Sequence, residues 1–161
     1  MEYKKAKLIA DQVLSDLKPH CDRIEIAGSI RREKEYPNDI EIVAIPKPYG
    51  TDLFGFGIAT VINKWEKIKG ELPCKYTQRL LPEGIKLDIF FASPENWGLI
   101  FAIRTGSADF SHKVLASGWS RLGYKSKGGI LFRRGKQILV KEEIELFDLL
   151  SMKYIDPKER I

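Results

Sequence analysis

The sequence has only two cysteines and no long apolar run, and each shortage excludes a class of protein. Cys21 and Cys74 lack the spacing of a zinc site and cannot form a disulfide framework, so we expect a reducing compartment. No stretch approaches the ~18 apolar residues of a membrane-spanning helix, and no apolar signal core follows the first residues. We therefore predict an intracellular protein of cytoplasm or nucleoid, or of a host cell if viral, with no membrane partner.

Acidic residues are also fewer than basic ones. The chain has 27 Lys and Arg against 22 Asp and Glu, a net charge of +5. This excess favours an anionic partner, and nucleic acid ahead of a membrane surface, because no amphipathic basic helix stands out. With 161 residues, of which 43% are hydrophobic, the chain can form one domain or two small subdomains.

Apolar periodicity predicts a chain of the α+β class. The helices are expected over residues 3–17, 58–68, 94–103, 110–117 and 142–152. The strands are expected over residues 23–27, 39–45, 75–81 and 85–92, followed by a small three-stranded sheet with turns at 127–129 and 134–136. We predict two subdomains, residues 1–100 and 101–161.

Three acids on the predicted strands are the first candidates for chemistry. On a strand, residues two apart share a face, so Asp39 and Glu41 project together while Ile40 turns to the core. Asp88 is centred in a second apolar strand, where an acid is costly unless it is paired or bound to a cation. Taken alone, the D-x-E pattern is more often a solvated strand face than a site.

The Gly28-Ser29 turn favours a functional site over a solvated strand face. Its backbone amides, the Ser29 hydroxyl and Arg32 could hold a phosphate near the acids. Three hard oxygen ligands beside a phosphate suit Mg²⁺. Such a site predicts phosphoryl or nucleotidyl transfer with two Mg²⁺ ions, for which Mn²⁺ could substitute.

The same residues resemble a known family. Gly-Ser at 28–29, Asp39-x-Glu41 and a later Asp88 resemble the signature of the nucleotidyltransferase superfamily. More closely, four segments resemble family X DNA polymerases: GSIRRE (28–33), KLDIFF (86–91), RTGSADF (104–110) and ELFDLLSMKYIDPKER (145–160). The resemblance implies a nucleotidyltransferase-type palm, a mixed sheet with helices on one side, followed by a small C-terminal α/β subdomain. The chain is similar to the compact viral members of the family, and we expect it to have no lyase domain.

The resemblance also implies roles for individual residues. The catalytic and metal-binding residues would be Asp39, Glu41 and Asp88. The nucleotide would be bound by Gly28, Ser29, Arg32, Arg104, Thr105, Gly106, Ser107 and Ser111. Lys86 matches a position that contacts the primer, and the basic C-terminal half suggests further DNA contacts from His112, Lys113, Lys125, Lys127, Arg133 and Arg134.

Some positions depart from the family pattern. Ile103 and Arg104 stand where relatives with a sugar gate carry two aromatics, so the preference between dNTP and rNTP stays open. Ser111 and Leu115 stand where relatives often carry Asn and Arg against the base pair.

The leading hypothesis is a monomeric, template-directed DNA polymerase that uses dNTPs to fill gaps in DNA repair. Two alternatives remain: an untemplated nucleotidyltransferase acting on a small molecule, protein or RNA end, and a catalytically inactive DNA-binding module.

Overall fold

The computed structural model describes residues 1–48 and 57–161, which divide into two units, Met1–Ala92 and Ser93–Ile161. The first unit contains α1 Tyr3–Leu17, β1 Cys21–Ile26, α2 Gly28–Arg31, β2 Asp39–Pro46, α3 Ala59–Ile62, β3 Glu66–Lys69, β4 Tyr76–Leu80 and β5 Lys86–Phe91. The second contains α4 Trp97–Thr105, α5 Ala108–Phe110, α6 Ser117–Arg121, β6 Lys125–Lys127, β7 Ile130–Arg133, β8 Lys136–Ile138 and α7 Glu143–Leu149.

The first unit is built on a five-stranded mixed sheet in the order β1-β2-β5-β4-β3. Strands β2 and β5 are parallel, and the other neighbouring pairs are antiparallel. The parallel register aligns Ile40 with Leu87 and Ile42 with Ile89. Because side chains alternate along a strand, these four share one face of the sheet, and the residues between them share the other.

Helices cover the apolar face of this sheet. In α1, Ala6, Ala10, Val13 and Leu17 recur at three- and four-residue spacing, and all four are buried. They belong to one hydrophobic cluster with the inward residues of β2 and β5, and Ile30 of α2 belongs to it too. Packing against the apolar stripe of α1 therefore buries one face of the sheet. The opposite face is left for the polar side chains of β2 and β5.

The second unit has a small antiparallel sheet, β6-β7-β8, and its own hydrophobic cluster. Leu115, Leu131 and Phe147 are fully buried there. Between α5 and α6 the chain continues as a π-helical segment, Ser111–Ala116, so that residues 108–121 form one helical run.

The α+β class and the mixed sheet are confirmed, as are helix Tyr3–Leu17 and the β4–β5 hairpin. The helix predicted over residues 58–68 is wrong, since α3 covers only Ala59–Ile62 and β3 follows. One helical turn is enough to bury Ile58 and Ile62, the first apolar residues of the predicted helical pattern. All four β3 side chains are exposed, so this edge strand is held by backbone pairing with β4 and has no apolar alternation to reveal it.

The division between the units lies at Ala92/Ser93, earlier than the residue 100 expected from sequence. Hydrogen bonds explain why residues 93–100 belong to the second unit. Asn96 Nδ2 donates to the Gly129 carbonyl at 2.9 Å, and the Gly98 amide donates to the Val140 carbonyl at 2.9 Å. Within residues 1–48 and 57–161, no helix is both long and apolar enough to cross a membrane.

Candidate active site

The three acids lie on the polar face of the first unit's sheet. In the β2–β5 register, Glu41 is directly beside Asp88, and Asp39 is beside Lys86. Neighbouring strands are only about 4.8 Å apart, so the carboxylates of the two strands are neighbours in space. Asp88 is 6% exposed, whereas Lys86 is exposed beside Asp39.

Gly28 allows the helix α2 to approach β2 closely. Gly28 has φ of +60°, a conformation that side-chain-bearing residues rarely adopt. A Cβ atom at this position would lie 1.7 Å from Glu41 Oε2. The Glu41 carboxylate therefore rests against the Gly28 backbone, and the Ala27 amide donates to the Glu41 carbonyl at 2.8 Å.

The electrostatics of the site reflect concentrated negative charge. Burial raises the pKa of the Asp39 carboxyl above its ordinary value, and the charge of Asp88 raises it further, against smaller opposing effects of Lys34 and Arg32. Burial lowers the pKa of the Arg32 guanidinium, which the carboxylates of Glu41 and Asp39 oppose. The Arg32 guanidinium is therefore close enough to Asp39 and Glu41 to interact electrostatically with both carboxylates.

Ser29 has an unsatisfied hydroxyl next to these groups. Its side chain is 7% exposed, and within the described part of the chain Ser29 Oγ has no hydrogen-bond partner. A buried hydroxyl without a partner costs free energy, so it is a sign of a missing ligand or solvent. Ser29 lies in α2, next to Gly28 and three residues before Arg32.

Asp88 is held by two donors from β4. Tyr76 Oη donates to Asp88 Oδ1 at 2.5 Å, and Gln78 Nε2 donates to the same oxygen at 2.8 Å. Gln78 is the direct cross-strand neighbour of Asp88, and the ring of Tyr76 stacks on Phe90 with centroids 5.0 Å apart. Among the residues that the structure describes, Oδ2 accepts no hydrogen bond.

The acids match Mg²⁺ in ligand type, since it takes carboxylate oxygens together with water and phosphate. In residues 1–48 and 57–161, no three His, Cys, Asp or Glu side chains converge as a metal-binding group. The carboxylate of Glu41 rests against Gly28, and Oδ1 of Asp88 accepts from the two donors of β4. The raised pKa of Asp39 and the unpartnered Ser29 hydroxyl still favour a bound cation and an anionic ligand.

The second set of predicted nucleotide-binding residues lies entirely in the second unit. Arg104 is exposed and Thr105 is fully buried. Gly106 ends α4, and a Cβ atom there would lie 2.6 Å from Phe110 Cδ1. Ser107 Oγ accepts from the Phe110 amide at 3.0 Å, and Ser111 Oγ donates to the Ile103 carbonyl at 2.7 Å. Both hydroxyls thus form hydrogen bonds that stabilise the turn, and each can form a further hydrogen bond.

The predicted DNA-contacting residues of the second unit are all exposed, but they do not form one stripe. Lys125 and Lys127 share one face of the small sheet, and Arg133 lies on the other, with its guanidinium 5.2 Å from the Tyr124 ring centroid. Arg134 is in the β7–β8 turn with φ of +51°. His112 and Lys113 lie on the π-helical segment, where Lys113 pairs with Asp109 at 2.9 Å.

Sequence reasoning missed Tyr76 and Gln78, although a signal was present. The predicted hairpin turn at residues 82–84 pairs Leu81 with Ile85 and therefore aligns residue 78 with Asp88. The structure has that register. A Gln opposite a buried Asp is a hydrogen-bonding pair that the hairpin alone would have revealed.

No protein-family model matches this chain, and a search of curated proteins found no match.

Proposed function

We propose that this chain is a template-directed DNA polymerase of the family X type that adds a deoxynucleotide to a primer 3′-hydroxyl at gaps in DNA. The observation that supports it best is the parallel pairing of β2 with β5, which sets Glu41 beside Asp88 with Asp39 on the same face. Phosphoryl transfer depends on oxygen ligands for Mg²⁺ and on cations and donors for the phosphates. Carboxylates, Arg32 and the Ser29 hydroxyl supply both.

Each residue of the first unit has a role in this proposal. Asp39, Glu41 and Asp88 would hold Mg²⁺. When bound, two such ions would supply Lewis-acid stabilisation of the charge that develops on the phosphate oxygens. Asp88 would bind the cation through Oδ2, because Oδ1 already accepts two hydrogen bonds, and the proton of the 3′-hydroxyl would pass to water. Ser29 Oγ and the Arg32 guanidinium would bind triphosphate oxygens by charge-assisted hydrogen bonds.

The second unit would bind the nucleotide and DNA in this proposal. Its Thr-Gly-Ser turn presents exposed Arg104 at one end and the Ser107 hydroxyl at the other. The excess positive charge also belongs largely to this unit, where Ser93–Ile161 has 12 Lys and Arg against 8 Asp and Glu. Phosphate binding by Lys and Arg supplies much of the affinity of proteins for DNA.

The test is Mg²⁺-dependent extension of a labelled primer on a one-nucleotide-gapped duplex, with each dNTP and rNTP supplied separately. We compare the wild-type protein with Asp88→Asn and with Asp16→Asn, a control in which the altered carboxylate is exposed on α1 and accepts from Gln12 at 2.9 Å. We expect template-matched addition by the wild type and by Asp16→Asn, and its loss in Asp88→Asn.

Other outcomes identify the alternatives. Addition that ignores the template base, or that needs no DNA duplex, would support an untemplated nucleotidyltransferase. DNA binding without incorporation of any nucleotide, unchanged by Asp88→Asn, would support an inactive DNA-binding module.

A further inference from the structure

We infer that Tyr76 and Gln78 are positioning residues, which fix the Asp88 carboxylate so that Oδ2 alone is presented to a divalent cation. The inference rests on the proposed function, which makes Asp88 a metal ligand. Both donors come from β4, and both contact Oδ1, at 2.5 Å and 2.8 Å. An oxygen that accepts two hydrogen bonds has little capacity left for a metal ion, so Oδ2 becomes the ligand oxygen.

The two donors are themselves held in place. Gln78 is paired with Asp88 across the antiparallel strands, so its side chain starts on the same face. The Tyr76 ring is stacked on Phe90 with an interplanar angle of 21°, and this contact directs the hydroxyl along the sheet toward Asp88. The orientation of Asp88 therefore depends on β4 and β5 and is set before any ligand binds.

A purely structural role would also give a buried carboxylate its donors. The two roles differ in what the donors affect. Outer-shell partners of metal ligands commonly alter metal affinity about 10- to 100-fold when removed. A structural role would lower the stability of the metal-free protein and leave the affinity of the folded protein unchanged.

The experiment is a Mn²⁺ titration of the full chain without substrate, with free Mn²⁺ followed by electron paramagnetic resonance. The variants are Tyr76→Phe, which keeps the ring on Phe90, and Gln78→Met, which keeps the length of the side chain. Two controls remove the same kinds of hydrogen bond elsewhere. Gln12→Met removes a Gln-to-Asp bond of 2.9 Å on α1, and Tyr154→Phe removes a Tyr-to-Glu143 bond of 3.3 Å.

We expect each β4 variant to bind Mn²⁺ about tenfold more weakly, while the controls bind like the wild type. Thermal unfolding in EDTA identifies the folded fraction of each variant, so that affinity is compared between folded proteins. In primer extension, a higher Mg²⁺ concentration should restore the rate of Tyr76→Phe but not that of Asp88→Asn.

Two failures can be told apart. If Asp88→Asn abolishes Mn²⁺ binding while Tyr76→Phe and Gln78→Met bind like the wild type, the positioning role is overturned and the proposed function stands. An equal loss in Tyr154→Phe would overturn it as well. If Asp88→Asn binds Mn²⁺ as the wild type does, the proposed metal site fails, and the positioning role fails with it.

Discussion

At the scale of single residues, Gly28 is the position where the backbone conformation and the site depend on each other most directly. Its φ is +60°, and a Cβ atom there would lie only 1.7 Å from Glu41 Oε2, so a side chain at this position would displace the Glu41 carboxylate. We predict that Gly28→Ala lowers the free energy of unfolding by about 1–3 kcal/mol, the usual cost of such backbone strain. Urea denaturation measures this loss.

A double variant separates the two causes of that loss. Glu41→Ala removes the carboxylate that the new Cβ would meet, so Gly28→Ala/Glu41→Ala should recover part of the stability. The unfavourable φ remains, so recovery should be incomplete. Gly84→Ala is the matched control, because Gly84 has φ of +79° but no atom within 4 Å of a Cβ. A larger loss at Gly84 than at Gly28 would contradict the close contact with Glu41.

Asp39 gives a prediction with a defined pH dependence. Burial and the Asp88 charge raise its pKa in the folded protein, so the folded state binds this proton more tightly than the unfolded state. Above the folded pKa the ionised carboxylate therefore costs stability. The cost falls as the pH drops through that pKa and is absent below the unfolded value of about 3.9.

We therefore expect Asp39→Asn to raise the melting temperature of the metal-free protein at pH 7, with a gain that shrinks toward pH 4. Thermal unfolding in EDTA across this range measures it. Asp109→Asn, at an exposed carboxylate paired with Lys113, should show no such gain. Added Mg²⁺ should stabilise the wild type more than Asp39→Asn, by mass action on the folded state. A metal-free Asp39→Asn protein that melts below the wild type at pH 7 would contradict the charge repulsion.

At the scale of elements, the C-terminal segment is attached to α7 by a buried ion pair. Arg160 is fully buried, and its Nη1 donates to Glu143 Oε1 at 2.7 Å. The guanidinium also lies 5.1 Å from the Phe147 ring centroid and 5.0 Å from that of Tyr154. The Arg160 carbonyl accepts from the Ser107 amide at 2.9 Å, so Arg160 also stabilises the Thr-Gly-Ser turn.

We predict that Arg160→Met lowers the free energy of unfolding by about 3–5 kcal/mol, because it leaves the Glu143 charge buried without its partner. Arg160→Met/Glu143→Leu should cost less than Arg160→Met alone, since no charge is then left buried. Chemical denaturation of the full chain measures both. Lys113→Met, which breaks an exposed pair, is the control and should have little effect. Equal losses for Arg160→Met and Lys113→Met would contradict the prediction.

The elements also explain which features could be predicted from sequence. Helix α1 and the β4–β5 hairpin have clear local signals, an apolar stripe and a Pro-Glu-Gly turn, and both were predicted. Strand β3 has four exposed side chains and depends on a partner strand, which no local pattern reports. The three acids could be predicted from spacing, but the contact of Glu41 with Gly28 depends on side-chain orientation and could not.

At the scale of the whole molecule, positive charge is distributed unequally along the chain. Met1–Ala92 has 15 Lys and Arg against 14 Asp and Glu, whereas Ser93–Ile161 has 12 against 8. The second unit therefore contributes +4 of the net charge of +5. If the protein binds DNA through phosphates, its affinity should depend strongly on salt and on cations of the second unit.

We predict that the logarithm of the DNA association constant falls linearly with the logarithm of salt concentration, by about 0.9 per phosphate contact. Fluorescence anisotropy of a labelled gapped duplex between about 50 and 200 mM NaCl measures this slope. Lys125→Ala/Lys127→Ala removes two exposed cations from one face of the small sheet and should make the slope shallower by nearly two. Lys4→Ala/Lys5→Ala removes the same charge from exposed positions of α1 and should leave the slope unchanged. Equal changes in both variants would mean that binding depends on net charge alone, and a flat salt response would contradict phosphate binding by either unit.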